Sequence, residues 1–236
     1  MGGGKDTKIE ETLLDLGGNC GILAIYLALK YPFLKIYSFE ADPRTFEIYQ
    51  ENLKLNNLEN HKNLQAFNLA VTSDGNDIFI DDSSFHHSGG NSVSKIDTNN
   101  LGIKVKSITL DNIIKEQKIK KIKYFKIDIE GSEFEVIYKS ELFKKINIEY
   151  FGGEFHGNKE QNIELFNYVK QYVEEKNMFV EIFDVKNSVV RPLMSKIVTK
   201  YLKACYNNDF LRKFNFYVVL KILAVGLRTL QKFKIL

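Results

Sequence analysis

The run Lys126-Ile-Asp-Ile-Glu-Gly-Ser-Glu133 carries the residues best suited to chemistry. Its Asp128 and Glu130 close an apolar stretch, Ile122 to Ile129, that reads as a strand. Side chains alternate along a strand, so the two carboxylates are expected on one face. Open α/β sheets bind ligands at the carboxyl ends of their strands, which is where both acids fall. His156 follows a second apolar stretch, Ile148 to Phe155, and ends it in the same way. Two carboxylates and an imidazole at strand ends form a set able to take a proton from a hydroxyl. The candidate base is this group, not one member of it.

A second constellation lies upstream, in Leu13–Gly21, LLDLGGNCG. An apolar run ends in Asp15, and Gly17, Gly18 and Gly21 crowd around Asn19 before the apolar helix pattern ILAIYLAL. Glycines allow backbone angles that a Cβ forbids and a close approach of ligand to main chain. A dinucleotide fingerprint, G-x-G-x-x-G, fails twice when counted from Gly17, at Asn19 and at Ile22. The pattern present, D-x-G-x-N-x-G, resembles the first motif of S-adenosylmethionine (SAM)-dependent methyltransferases. Glu40 ends the next strand pattern, KIYSF, nineteen residues past Gly21. That is close to the distance at which nucleotide-binding α/β domains place an acid on ribose hydroxyls.

The elements that must position these residues alternate strand and helix, the pattern of a doubly wound parallel sheet. Asp42-Pro43 reads as the cap and first residue of a helix with an apolar face at Phe46, Ile48, Tyr49 and Leu53. Leu64 to Val71 reads as a third strand, and Thr109 as the cap of a short helix. Ser132 and Glu135 have the spacing of a capping box, as do Asn158 and Gln161. The second of these pairs opens a helix with the stripe Ile163, Phe166, Val169, Tyr172, Val173. Met178 to Val185 reads as a sixth strand. Between Thr72 and Lys106 lies a polar insertion, read as hairpins or a loop over the site. Its His86 and His87, beside Gly89 and Gly90, have no companion ligand at helical spacing, so no metal site is expected.

Charge divides the chain. The net charge is +3, yet from Lys186 onward there are eleven Lys and Arg against one acid, Asp209. A domain over residues 1–186 followed by a basic helical extension over 187–236 is the expected organisation. The extension is read as a helix packed on its own domain or a homodimer partner, against peripheral contact with an anionic membrane. Cys20 and Cys205 are too few for a disulfide framework, and the polar start lacks a signal-peptide core; both fit a cytoplasmic protein.

Together, LLDLGGNCG, YSFEADP, SITLDNII and YFKIDIEGSEFEVI are similar to the FkbM family of methyltransferases, over roughly Leu13 to Phe155. The resemblance implies a class I, Rossmann-like SAM-dependent fold and O-methylation of a hydroxyl on a sugar, glycan or small metabolite. By it, Asp15, Gly17, Asn19 and Gly21 match the SAM loop and Glu40 the ribose acid. Asp128 and Glu130 match the acidic motif beside the methionyl end of SAM and the acceptor. Gly18 stands where the family often has alanine. The segment before the first strand is short, so no N-terminal substrate cap is expected, and no last antiparallel strand is evident after Val185. Two other classes compete. One is a SAM-binding module without turnover. The other is a nucleic-acid methyltransferase using the basic tail, for which the expected N/D-P-P-Y/F signature is absent, so nucleic acid is not an expected partner.

Overall fold

The computed structural model describes residues 11–81, 93–94 and 102–182. His86, His87, Gly89, Gly90 and the basic extension over 187–236 lie outside the described residues, as do residues 183–185 of the sixth strand pattern.

Six strands form one parallel sheet: β1 (Thr12–Leu16), β2 (Lys35–Glu40), β3 (Leu64–Asn68), β9 (Lys121–Ile127), β10 (Asn147–Phe155) and β11 (Met178–Ile182). Their spatial order is β11-β10-β9-β1-β2-β3. The sheet is wound outward in both directions from β1 and β9, as in a doubly wound Rossmann-like domain. Helices α1 (Ile22–Lys30) and α2 (Pro43–Leu55) lie on one face, where Ala24, Ile25, Ala28, Tyr49 and Leu53 pack on Leu13 and Ile36. On the other face, α3 (Leu110–Glu116), α4 (Glu133–Lys139) and α5 (Lys159–Val169) cover Leu14, Leu16, Phe39, Phe125, Ile127 and Phe151. Burial on both faces explains why the central strands read as near-continuous apolar runs.

Local signals set several boundaries. Asp42 caps α2 by accepting the Arg44 amide at 2.9 Å, with Pro43 as its first residue. Thr109 caps α3 through the Asn112 amide at 3.1 Å. Asn158 and Gln161 form a full capping box on α5.

Other expectations change. The stretch Leu64–Val71 is two strands, β3 and β4 (Ala70–Thr72); β4 leaves the main sheet to pair with β8 (Ser107–Thr109). The insertion contributes an antiparallel sheet of β5 (Ile78–Asp81), β6 (Val93–Ser94) and β7 (Gly102–Val105). Ile48 and Ile163 face outward, whereas Leu165 takes the inward position on α5. Ser132 makes no side-chain cap on α4, and Glu135 instead accepts from Ser73 Oγ at 3.1 Å and Lys139 Nζ at 3.0 Å. No helix among the described residues is long and apolar enough to cross a membrane.

Candidate active site

The switch point of the sheet lies between β1 and β9, and the chain after each strand enters the same crevice. After β1 the loop bends through three left-handed residues, Gly17 (φ 84°), Asn19 (φ 50°) and Gly21 (φ 81°). Its glycines answer to the protein's own packing. A Cβ on Gly17 would meet the Asp128 carbonyl oxygen at 1.8 Å, one on Gly18 would meet Ser38 Oγ at 2.3 Å, and one on Gly21 would meet the Tyr49 ring at 2.1 Å. At Gly18 an alanine would displace Ser38, so the glycine is matched to this chain's Ser38 and Tyr49.

Asp15 is fully buried below this loop. Its Oδ2 accepts from Ser38 Oγ at 2.7 Å, and its Oδ1 lies 3.3 Å from Lys126 Nζ. Lys126 also donates to the Leu16 carbonyl at 3.3 Å and to the Gly17 carbonyl. Burial would lower the lysine's pKa, but Asp15 and Asp128 outweigh it and hold the ammonium charged. Sequence reasoning missed Lys126. Its signal was a lysine near the carboxyl end of a central strand, between Phe125 and Ile127, where a cation requires a partner.

Glu40 stands at the carboxyl end of β2. Its Oε2 accepts the Asn19 amide at 2.7 Å and its Oε1 the Asp42 amide at 2.9 Å. Burial raises its pKa to about 7, against the pull of those two amides and Lys126. The glycine loop is therefore held against the acid that the ribose reading needs.

The acidic edge assembles around His156. β9 ends at Ile127, and Glu130 has a left-handed backbone (φ 55°), so strand alternation is not what brings Asp128 and Glu130 together. They share one turn after β9. β10 pairs with β9 up to Gly153–Ile127 and runs on to Phe155, which carries His156 to that turn. His156 Nε2 lies 3.3 Å from Glu154 Oε2, 3.8 Å from Glu130 Oε2 and 4.0 Å from Asp128 Oδ1. Its Nδ1 lies 3.1 Å from Oε1 of Glu133.

Burial would lower the pKa of His156, but hydrogen bonds to Glu133 and Glu154 overcome it and raise the value to about 10. The ring is thus an imidazolium at neutral pH. That separates it from Asp128 and Glu130, with which the sequence grouped it as a proton acceptor: a doubly protonated ring has no lone pair to offer. Asp128, Glu130 and His156 could each present one ligand atom, all within 4.8 Å of one another. A cation there would have to displace the proton from Nε2, which already faces Glu154.

A parallel, doubly wound sheet with an acid-anchored glycine loop and an acidic turn at its switch point defines a Rossmann-like domain of the methyltransferase type. A family model for the methyltransferase FkbM domain matches residues 24–180. The chain belongs to that family. It is also similar to Methyltransferase 1 of Beauveria bassiana (strain ARSEF 2860), 27% identical over 144 residues that cover 54% of this chain and 57% of that protein. The chain thus spans little more than half the length of that relative. No solved structure matches it.

Proposed function

We propose that the chain is a SAM-dependent O-methyltransferase acting on a hydroxyl of a sugar, glycan or small metabolite. The observation that carries this reading is the meeting of the glycine loop and the acidic turn at one switch point, where Asp128 N–H donates to the Leu16 carbonyl at 2.9 Å. Gly17, Asn19 and Gly21 would line the cofactor, with Asp15 holding their loop from below. Glu40 would accept from the ribose hydroxyls, its desolvated carboxylate being suited to a neutral polar partner. Asp128 would face the methionyl end.

The bound donor supplies a methyl group on a sulfonium, a good leaving group. The chain has to hold the acceptor oxygen in line with that group and exclude water. A carboxylate of Asp128 or Glu130 would take the hydroxyl proton as the acceptor oxygen gains the methyl group, with S-adenosylhomocysteine as the product the site would release. Four carboxylates surround His156 among the described residues, so the edge carries excess negative charge and disfavours phosphorylated acceptors.

Calorimetric titration tests the cofactor: SAM and S-adenosylhomocysteine should bind and NAD should not. A methylation screen over glycans and hydroxylated small molecules tests the reaction. Preferential NAD binding, or turnover confined to nucleic acid, would overturn the proposal.

A further inference from the structure

Glu133 has no part in the reading above, yet it is 1% exposed. Burying a carboxylate this far costs several kcal/mol unless its oxygens are well engaged. Here they are. Oε1 accepts the Ile129 amide at 3.0 Å, and the Gly131 amide lies 3.2 Å from Oε1 and 3.0 Å from Oε2. The same Oε1 meets His156 Nδ1 at 3.1 Å. The two amides flank Glu130, whose left-handed backbone costs a non-glycine residue about 1–2 kcal/mol and persists only where its surroundings hold it. One buried carboxylate therefore grips both sides of the strained residue and, across the gap between β9 and β10, the imidazole that faces it.

We propose that Glu133 is a positioning residue of the methyl-transfer site: it locks the Asp128–Gly131 turn and the His156 ring into one unit, keeps both ring nitrogens engaged as donors, and so assigns proton acceptance to Asp128 and Glu130. This rests on reading the acidic edge as the methyl-transfer site. The groups facing His156 come from three directions: Asp128 and Glu130 from the turn, Glu133 from α4, and Glu154 from β10. Without Glu133, Nδ1 loses the buried carboxylate that meets it at 3.1 Å, and the link between the ring and the Ile129 and Gly131 amides is cut.

Glu133→Gln separates this role from simple support, because its amide oxygen can still accept from the turn while the charge on Nδ1 is gone. Titration of ¹⁵N-histidine-labelled protein should show both His156 nitrogens protonated at pH 8 in the wild type. In Glu133→Gln the His156 midpoint should fall by about one pH unit or more, that is, at least about tenfold in proton affinity. Turnover should fall by up to about a hundredfold through misplacement of the acids, while SAM affinity changes far less. A neutral His156 ring in the wild type at pH 8 would overturn the proposal without any variant. So would an unshifted His156 midpoint in folded Glu133→Gln. Turnover lost in Asp128→Asn and Glu130→Gln but kept in Glu133→Gln would overturn it while leaving the methyl-transfer reading intact. If instead the His156 midpoint responds to Glu133 but the wild type methylates no hydroxyl acceptor, the methyl-transfer reading fails and takes the catalytic assignment with it.

Discussion

Gly17 and Asp128 belong to different strands 111 residues apart in the chain, yet the Gly17 Cα faces the Asp128 carbonyl so closely that a Cβ would sit 1.8 Å from its oxygen. The cofactor loop and the acidic turn are thereby packed as one piece. A change in either should be felt in both.

Gly17→Ala should be among the most damaging substitutions in the loop. It adds the left-handed penalty, about 1–2 kcal/mol, to a clash with backbone that cannot swing aside, about 1–3 kcal/mol. Gly131→Ala has φ 106° but nothing within 4 Å of its Cβ, so only conformational strain applies. Urea unfolding should show the larger loss for Gly17→Ala, and SAM titration should show weaker binding. Equal losses at the two positions would refute the close-packing argument.

Lys126→Met should lower stability by about 3–5 kcal/mol, because it strands the buried Asp15 carboxylate without its cation. Adding Asp15→Asn should recover part of that loss by removing the stranded charge. Chemical denaturation of both single variants and the double variant measures the coupling. Strictly additive effects would argue against the ion pair.

Glu40 predicts a pH-dependent cofactor affinity. With its pKa near 7 in the free protein, ribose hydroxyls that donate to the ionised form lower it, so binding releases a proton. SAM affinity should therefore rise as pH increases from about 6 through 7 and then level off, and Glu40→Gln should flatten the profile. Calorimetry in buffers of different ionisation heat reads the released proton directly.

His156 and Glu133 make opposite contributions to stability against pH. The His156 pKa is raised from 6.5 to about 10, so its contribution is complete below 6.5 and is lost as pH climbs through about 10. The Glu133 pKa is lowered despite its burial, chiefly by His156, so its contribution is present above its ordinary value of 4.5 and is lost as pH falls through the lower folded value. Urea midpoints should decline between pH 7 and 10 in the wild type and stay flatter there in His156→Gln. A midpoint independent of pH across that range would exclude a charged His156.

Asn162 should prove structural for the site. It is 2% exposed; its Oδ1 accepts the Gly157 amide at 2.9 Å, and its Nδ2 donates to the carbonyls of Phe155 at 3.1 Å and Gly157 at 2.9 Å. These bonds clasp the backbone on both sides of His156. Asn162→Leu should cost about 1–3 kcal/mol for each buried polar group left unpaired, and histidine NMR should show His156 disordered.

What the sequence determined by itself is what short-range physics controls. Alternating apolar runs and glycine or proline breaks specified a parallel α/β sheet, since strands buried on both faces must be continuously apolar. Asp42-Pro43, Thr109 and Asn158–Gln161 marked helix starts because a cap and its amide lie within three residues of each other. Asp128, Glu130 and His156 were legible as strand-end residues because they close or follow apolar runs of their own segments. The tertiary structure decided everything that depends on which strands are neighbours. The Ser132–Glu135 spacing suited a capping box, but the turn leaves Ser132 with a helical backbone (φ −94°, ψ 0°) instead of the extended one a cap needs, and the Glu135 carboxylate engages Ser73, 62 residues upstream, so the cap does not form. Glu133 became the buried clasp because β10 pairs with β9 in one register and carries His156 to it. Lys126 acquired its role when β1 settled beside β9 and brought Asp15 within reach. The cost of burying a charge is set by partners far off in the chain, and spacing along the chain does not encode them.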